Sequence, residues 1–217
     1  MTADHPSTGV VLAVCAATDD VILDKIGASG IDKRPLTGRV AVGELGLGPD
    51  HVVDTKHHGG IDQAVYAYSE REALNWADEL DRDLPFGWFG ENLRIDGLPV
   101  TDALVGERWA IGDDGLILET TIPRTPCRTF AVWADEDQWV KRFFQRSDTG
   151  SYLRVVSPGT VGVSDVVHVV HRPSHGVRIR DLVPGTDADR DALERLLSVD
   201  DLAPKVRREA SRKLSRV

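Results

Sequence analysis

The sequence predicts a mainly β protein, built as a barrel or a sandwich, with a few helices and a small helical extension at its C-terminal end. Between residues 9 and 173, short runs rich in β-branched residues alternate with turns rich in Gly, Pro and Asp, a pattern typical of all-β architectures. After residue 173 the apolar residues recur at helical spacing. We therefore predict a β domain over residues 1–173 and a helical extension over residues 174–217.

The predicted strands are short and predominantly apolar. A Gly-Asp-Asp-Gly sequence at residues 112–115 separates two of them, and this turn chemistry predicts a β-hairpin. The strands are expected at residues 10–16, 39–42, 63–68, 108–111, 116–120, 152–156 and 165–170.

Helices are predicted both inside the β zone and after it. Ser69 followed by Glu72 has the spacing of a capping box and predicts a helix that ends near residue 80. A second helix is expected after Asp135, with Trp139 and Phe143 among the aromatic residues that pack on the core. The extension is expected to hold helices at residues 187–197 and 203–216 and a shorter one at residues 174–182.

The composition is that of an ordinary globular chain. Of the 217 residues, 41% are hydrophobic and 28% are charged, which excludes wholesale disorder. The longest apolar run near the start, residues 9–17, is shorter than the roughly 20 residues that a membrane span requires. The first residues lack the basic region of a signal peptide, and two cysteines cannot build a disulfide framework or a four-cysteine zinc site. We therefore expect a cytoplasmic protein without membrane contact, in which Cys15 and Cys127 are free thiols.

Charge is distributed unevenly along the chain. The net charge is −9, and the excess of acidic residues argues against nucleic acid as a partner. Residues 203–217 hold six basic residues and one acidic residue, so this tail carries +5 and the rest of the chain −14. A basic helix beside an acidic body is expected to dock on it or to face solvent, and a nucleic-acid surface is the minor alternative.

Residues 56–60, which we call the glycine turn, form the first candidate site. Two glycines after a basic cluster predict a tight turn with exposed backbone N–H groups, and such a turn suits an anion such as phosphate. The alternative is a structural β-turn in which one histidine is satisfied by a hydrogen bond. The residues of the glycine turn are Lys56, His57, His58, Gly59 and Gly60.

A second candidate site lies at residues 88–93. Gly90 allows the backbone to approach a ligand closely, and the Asn92 amide offers both donors and an acceptor. The alternative is that Asn92 satisfies a neighbouring loop at the entry to a strand.

The third candidate site is the segment 123–128, in which two prolines restrict the backbone. This segment presents Cys127 between Arg124 and Arg128. Positive charge lowers the pKa of a thiol and favours the thiolate, which is the form that attacks or binds metal. Cys15, in contrast, lies inside an apolar strand and is expected to be inert.

Motifs of several other enzyme classes are missing from the sequence. There is no P-loop, no nucleophile elbow, no HExxH and no dinucleotide-binding glycine motif after a strand. A hydrolytic pair of Cys127 with His57 or His58 is allowed by residue type, but no local spacing supports it.

Taken together and in this order, the motifs resemble the MOSC family, named for the C-terminal domain of molybdenum cofactor sulfurases. They are most similar to the bacterial stand-alone members implicated in reducing N-hydroxylated bases such as 6-hydroxylaminopurine. The resemblance covers roughly residues 9–173 and implies a β-barrel related to the small barrel domain of pyruvate kinase. The segments that carry it are residues 43–50, 56–65, 89–93, 123–127 and 152–155.

The resemblance also implies a molybdenum cofactor, a pterin whose dithiolene holds the metal and whose terminal phosphate calls for arginines and backbone amides. Cys127 is then the catalytic residue and the protein ligand of the molybdenum. The cofactor-binding residues that the resemblance implies are Lys56, His57, His58, Gly59, Gly60, Asn92, Arg124 and Arg154.

The function expected from the resemblance is that of an oxidoreductase acting on a small N-hydroxylated substrate. No flavin, haem or iron–sulfur motif occurs in the chain, so the electrons must come from a separate reductase partner. Two alternatives stay open, because a thiol of low pKa suits them equally well. They are a sulfur carrier or transferase with a persulfide on Cys127, and a non-catalytic carrier of the molybdenum cofactor.

Overall fold

A computed structural model describes residues 6–55 and 58–217 of the chain. The described strands are β1 (Thr8–Ala16), β2 (Val21–Leu23), β3 (Gly27–Ser29), β4 (Arg34–Pro35), β5 (Val40–Gly43), β6 (Gly46–Leu47), β7 (Val65–Ser69), β8 (Leu93–Asp96), β9 (Arg108–Ile111), β10 (Leu116–Pro123), β11 (Ser151–Ser157), β12 (Gly159–Val161) and β13 (Val166–His171). The described helices are α1 (Glu70–Leu80), α2 (Arg128–Ala134), α3 (Trp139–Arg146), α4 (Arg190–Leu197) and α5 (Pro204–Leu214).

Seven of the strands close into a barrel. Their order around the wall is β13, β9, β10, β11, β7, β8 and β1, and β1 pairs again with β13. Neighbouring strands are antiparallel except β7 and β8, which run parallel and are connected through α1. Closure removes open sheet edges from the wall. The fold is therefore the barrel rather than the sandwich, and the hairpin predicted at residues 112–115 is confirmed because Leu116 pairs with Ile111.

The barrel interior is filled by side chains that alternate along the strands. Val65 and Ala67 of β7 and Leu153 of β11 are fully buried in this interior core. Residues between them in the sequence point to the opposite face, as strand geometry requires. This alternation places Tyr66 and Tyr152 on the outer wall of the barrel, in a different cluster from the interior core.

A second core of aromatic side chains lies outside the barrel under helices α1, α2 and α3. Trp76 of α1 stacks against Phe143 and lies 4.6 Å from Trp139, measured between ring centroids. Phe130 of α2 meets Trp139 edge to face at 5.3 Å. Burial of such rings contributes about 2–3 kcal/mol each. The expectation that Trp139 and Phe143 serve as core residues is therefore confirmed.

Helices α1 and α2 of the β zone both differ from the prediction. Ser69 precedes α1, but its side chain makes no capping hydrogen bond, so the predicted capping box is wrong. Glu72 is instead buried and accepts a hydrogen bond from the Thr101 hydroxyl at 2.8 Å. Helix α2, which was not predicted, begins directly after Cys127. A helix can begin just after a proline. The proline-restricted segment 123–128 therefore leads into a helix instead of a loop.

The C-terminal extension packs on the barrel through its own apolar cluster. Val206 and Ala210 of α5 are buried with Leu193 of α4 against Ile179 and Val105. The predicted helix over residues 174–182 is shortened to a 3-10 turn at Ile179–Leu182, whereas the two longer helices are confirmed. The basic tail thus docks on the acidic body, which is one of the two arrangements expected for it. Within the described ranges, no helix is long and apolar enough to cross a membrane.

Candidate functional site

A cavity of about 760 Å³ lies against the outer wall of the barrel. Tyr66 and Tyr152, which pair across β7 and β11, form part of its lining. Its other walls come from loops at residues 26–33, 45–60 and 124–129. The volume falls in the range of small-molecule and cofactor sites.

The cavity brings the three candidate motifs together. The lining residues from these motifs are His58, Gly59, Gly60, Gly90, Asn92, Arg124 and Cys127. Lys56 and His57, the other two residues of the glycine turn, lie outside the described residues. The convergence of motifs that are far apart in the sequence is what the resemblance required.

Cys127 is half-buried in the cavity wall, and its thiol is acidic. Burial alone raises the pKa of Cys127. A hydrogen bond with the His58 ring, the charge of Arg124 and the backbone N–H of Phe130 together outweigh burial and lower the pKa to about 6. The thiol is therefore predominantly thiolate at neutral pH, which is the form that binds metal or attacks sulfur.

Cys15 has the opposite environment, as predicted. It is fully buried in β1, and burial, reinforced by the negative charge of Glu91, raises the pKa of its thiol to about 12. This thiol stays protonated and inaccessible, so the two cysteines are chemically distinct.

Arg124 is a buried cation that forms no salt bridge within the described residues. Its Nη1 donates to the carbonyl of Phe89, and its guanidinium carbon lies 4.0 Å from the ring centroid of Phe130 and 5.1 Å from that of Tyr66. Among the residues that the structure describes, no carboxylate forms a salt bridge with it. A guanidinium is always charged, and a buried charge is costly unless it is paired. The charge of Arg124 stabilises the Cys127 thiolate, and no described carboxylate competes with an anionic ligand for it.

The described part of the glycine turn is shaped for an anion as well. Gly59 and Gly60 have φ angles of +72° and +81°, a region that side chains disfavour. Across the described part of the chain, no group accepts a hydrogen bond from the N–H of either glycine. Both glycines line the cavity, so their N–H groups are available to an anionic ligand.

Asn92 lines the cavity, but its amide is engaged by the protein. Its Oδ1 accepts from the N–H of Tyr66 at 3.0 Å, and its Nδ2 donates to the carbonyl of Cys15 at 3.1 Å and to Oδ2 of Asp50 at 2.8 Å. This pattern is that of the alternative considered for the motif, in which Asn92 satisfies neighbouring backbone. Asn92 shapes the wall, and its amide hydrogens are already used.

Arg154 does not line the cavity. It lies on β11 opposite Glu119 of β10, and the two form a salt bridge of 2.6 Å. Glu119 also pairs with Arg108, so one carboxylate is shared by two arginines, and the assignment of Arg154 as a cofactor-binding residue stays a prediction.

The cavity also contains polar residues that sequence reasoning did not single out. They are Lys33, Asp50, His51, Tyr66 and Tyr152. Asp50 and Tyr152 lie in segments that carried the family resemblance, so a signal for them existed. Lys33 and His51 lie in loops without any motif, and only the ion pair of Lys33 with Asp50 and the cavity itself reveal them.

The donor set limits how a metal could be held here. Over the described ranges, no group of three or more His, Cys, Asp and Glu side chains is placed to hold a metal ion. Cys127 lies in the same cavity as the buried Arg124, and its thiolate is a soft donor.

Comparison with known proteins agrees with this geometry. The family model described as "MOSC domain" matches residues 54–168. The chain is 29% identical over 192 residues to "Uncharacterized protein YflK" of Bacillus subtilis, covering 87% of this chain and 86% of that protein. It is 29% identical over 179 residues to a protein of Gibberella moniliformis named "Reductase", covering 79% of this chain but 31% of that protein. The crystal structure of YiiM from Geobacillus stearothermophilus superposes with a TM-score of 0.75 at 22% identity, covering 95% of this chain and 99% of that chain.

Proposed function

This chain belongs to the MOSC family, and on that premise we propose that it is an oxidoreductase that binds a molybdenum cofactor in the cavity described above. Its substrates are small N-hydroxylated compounds of the hydroxylaminopurine type, and a separate reductase supplies the electrons. The observation that carries the proposal is the presence, in one cavity, of a thiol with a pKa of about 6 and a buried arginine free of any described carboxylate.

The residues of the cavity fit such a cofactor. Two features match a terminal phosphate in charge and hydrogen bonding: the N–H groups of Gly59 and Gly60, which donate to no described group, and the guanidinium of Arg124, which pairs with no described carboxylate. The thiolate of Cys127 supplies a soft ligand for molybdenum. When bound, the cofactor supplies the two-electron redox chemistry, which no protein side chain provides.

The proposed reaction consumes two electrons and two protons. The N–O bond of a hydroxylamine breaks, the nitrogen becomes an amine, and the oxygen leaves as water; the reductase partner supplies both electrons. The cavity also contains a histidine whose protonated form is stabilised by its neighbours. His51 faces two acceptors, the Ala17 carbonyl at 2.8 Å from Nδ1 and Asp20 at 2.5 Å from Nε2, and the bond with Asp20 raises the pKa of His51.

Two further observations agree with the proposal. The fungal relative that contains a region similar to this chain is named "Reductase". Both cysteines are free thiols, which is typical of proteins kept in the reducing cytoplasm, where we place this one.

Sulfur transfer is the second candidate function, because the acidity and partial exposure of Cys127 favour it as much as they favour metal binding. In that case Cys127 carries a persulfide. Elemental analysis and mass spectrometry of the purified protein separate the two functions. Molybdenum in near-equal amount with protein supports the oxidoreductase. A mass gain of one sulfur on Cys127 supports the carrier. Tight cofactor binding without turnover with any donor would indicate a non-catalytic carrier.

The decisive experiment removes the thiol. We expect Cys127→Ala to lower reduction of 6-hydroxylaminopurine, driven by reduced methyl viologen, by at least about 100-fold, because the metal loses its protein ligand. The matched control is Cys15→Ala, which alters the buried thiol and is expected to retain activity. Retained reduction in cofactor-loaded Cys127→Ala contradicts the role given to this residue.

A further inference from the structure

We infer that helix α5 of the C-terminal extension positions the described part of the glycine turn, residues 58–60, and that Lys205 is the residue through which it acts. The backbone N–H of Lys205 donates to Oδ2 of Asp62 at 2.9 Å. Its Nζ donates to the carbonyl of Gly59 at 3.2 Å and to Oε1 of Gln63. One residue of the extension thus holds the chain at Gly59 and again just after the turn.

The segment that Lys205 holds is also fastened to the barrel on its other side. The carbonyl of Asp62 accepts a hydrogen bond of 2.7 Å from the hydroxyl of Thr121 on β10. Within the segment, the N–H of Gln63 donates to the carbonyl of Gly60 at 2.9 Å. The glycine turn therefore enters a short segment clamped between the barrel wall and α5.

Holding this segment has a physical value for a ligand. Glycines at positive φ lose more conformational freedom on ordering than other residues, so a turn that is ordered only by its ligand weakens binding. Contacts that exist before binding remove part of that cost. Lys205 also fixes the residue next to His58, whose ring hydrogen-bonds the Cys127 thiol.

The clamp comes from outside the segment that matches the MOSC family model. That match ends at residue 168, whereas α5 begins at Pro204. The basic tail is thus more than a docked helix, because one of its lysines reaches the candidate site. The positioning itself stands on the contacts above, and its value for the molybdenum cofactor rests on the proposed function.

The test compares two lysines of α5 in the full-length protein. Lys205→Met removes the two side-chain hydrogen bonds to the clamped segment. Lys213→Met is the matched control, because the Nζ of Lys213 donates to the Val183 carbonyl and to the carbonyl and hydroxyl of Thr186, all within the extension. Hydrogen exchange of the His58 and Gln63 amides, whose N–H groups donate to the carbonyls of Asp54 and Gly60, and the NMR resonances of the His58 ring report on the turn.

We expect exchange of the His58 and Gln63 amides to become roughly tenfold faster in Lys205→Met, from the loss of the two hydrogen bonds that its side chain makes to this segment. The His58 resonances are expected to move, and Lys205→Arg to restore both signals. Lys213→Met is expected to lower the melting temperature without either change. If Lys213→Met does not fold, Arg207→Ala replaces it, since Arg207 bonds only to carbonyls at residues 197–200.

Unchanged exchange in Lys205→Met, or equal acceleration in both lysine variants, overturns the inference. Cofactor content of the purified variants is measured in parallel, and Lys205→Met is expected to retain less molybdenum than Lys213→Met. If even the unaltered protein binds no molybdenum, the proposed function fails while the exchange result still decides the positioning role.

Discussion

Two buried arginines, Arg94 and Arg124, occupy neighbouring regions of this molecule and have opposite environments. Arg94 is 1% exposed, and its guanidinium bonds to Glu91 at 2.5 Å and to Glu70 at 3.0 Å. Arg124 is 7% exposed and bonds to a carbonyl between two aromatic rings. Both contact Phe89, one through its ring and the other through its carbonyl.

The charge of Arg94 stabilises the fold, whereas the charge of Arg124 is available to a ligand. Removing a guanidinium from water costs several kcal/mol, and a nearby carboxylate can offset that cost. Arg94 meets this condition with two carboxylates. Arg124 faces a cavity and meets none in the described part of the chain, so an anionic ligand is its natural counter-charge.

The largest expected effect comes from breaking the compensated pair. Arg94→Met leaves Glu91 fully buried, with one of its oxygens already without a hydrogen bond. We expect a loss of about 3–5 kcal/mol in the free energy of unfolding, measured by urea denaturation. The double variant Arg94→Met/Glu91→Leu is the control and should regain much of the loss. A loss below about 1 kcal/mol in the single variant would show that this pair does not hold the fold.

The next largest effect is a pH dependence of stability that we expect from Glu72, a buried carboxyl group on α1. Burial, together with the charge of Asp148, raises the pKa of Glu72 to about 8. Because the folded pKa lies above the unfolded one, the stabilising contribution is complete below about pH 4 and is lost as the pH rises toward 8. We expect unfolding free energy to fall by up to about 3 kcal/mol between pH 5 and pH 8, and Glu72→Gln to abolish this slope.

Glu79 on the same helix is the matched control for Glu72. Hydrogen bonding to Arg142 and Arg146 lowers the pKa of Glu79, so its contribution is lost toward acid instead. Glu79→Gln should leave the slope between pH 5 and pH 8 unchanged. An unaltered slope in Glu72→Gln would assign the pH dependence to another group.

The smallest expected effect on stability is the most informative about the cavity. Arg124→Met removes a buried charge without orphaning a described carboxylate, so we expect the free energy of unfolding to change by less than about 1 kcal/mol. Arg124 lowers the pKa of Cys127, so its loss raises that pKa. The midpoint of the pH dependence of Cys127 alkylation is expected to move from about 6 upward by about one unit.

Arg128→Met is the control for this last comparison, because Arg128 carries the same charge on the other side of Cys127 but is exposed to solvent. Solvent screens its charge, so the alkylation midpoint should hardly move. Cys15, with a pKa of about 12, is not expected to be alkylated in any of these measurements. Equal shifts in the two arginine variants would contradict the special status of Arg124.

The sequence by itself determined the local features of the protein. The β-branched runs and the turn at residues 112–115 predict the strands and the hairpin, because period and turn chemistry act over a few residues. The contrast between Cys15 and Cys127 was also readable, since Cys15 lies in an apolar run and Arg124, which lowers the pKa of Cys127, is its near neighbour in the chain. The family resemblance then supplied the barrel and the cofactor as expectations.

Tertiary structure alone decided which charges are compensated and which residues share a cavity. Arg154 and Arg124 look alike as arginines in motifs, yet a strand pairing gives Arg154 a carboxylate and leaves Arg124 facing the cavity. The hydrogen bond of His58 with Cys127 and the reach of Lys205 to Gly59 join distant parts of the chain. Such contacts depend on how strands and helices close around one another, and no local pattern of residues encodes that closure.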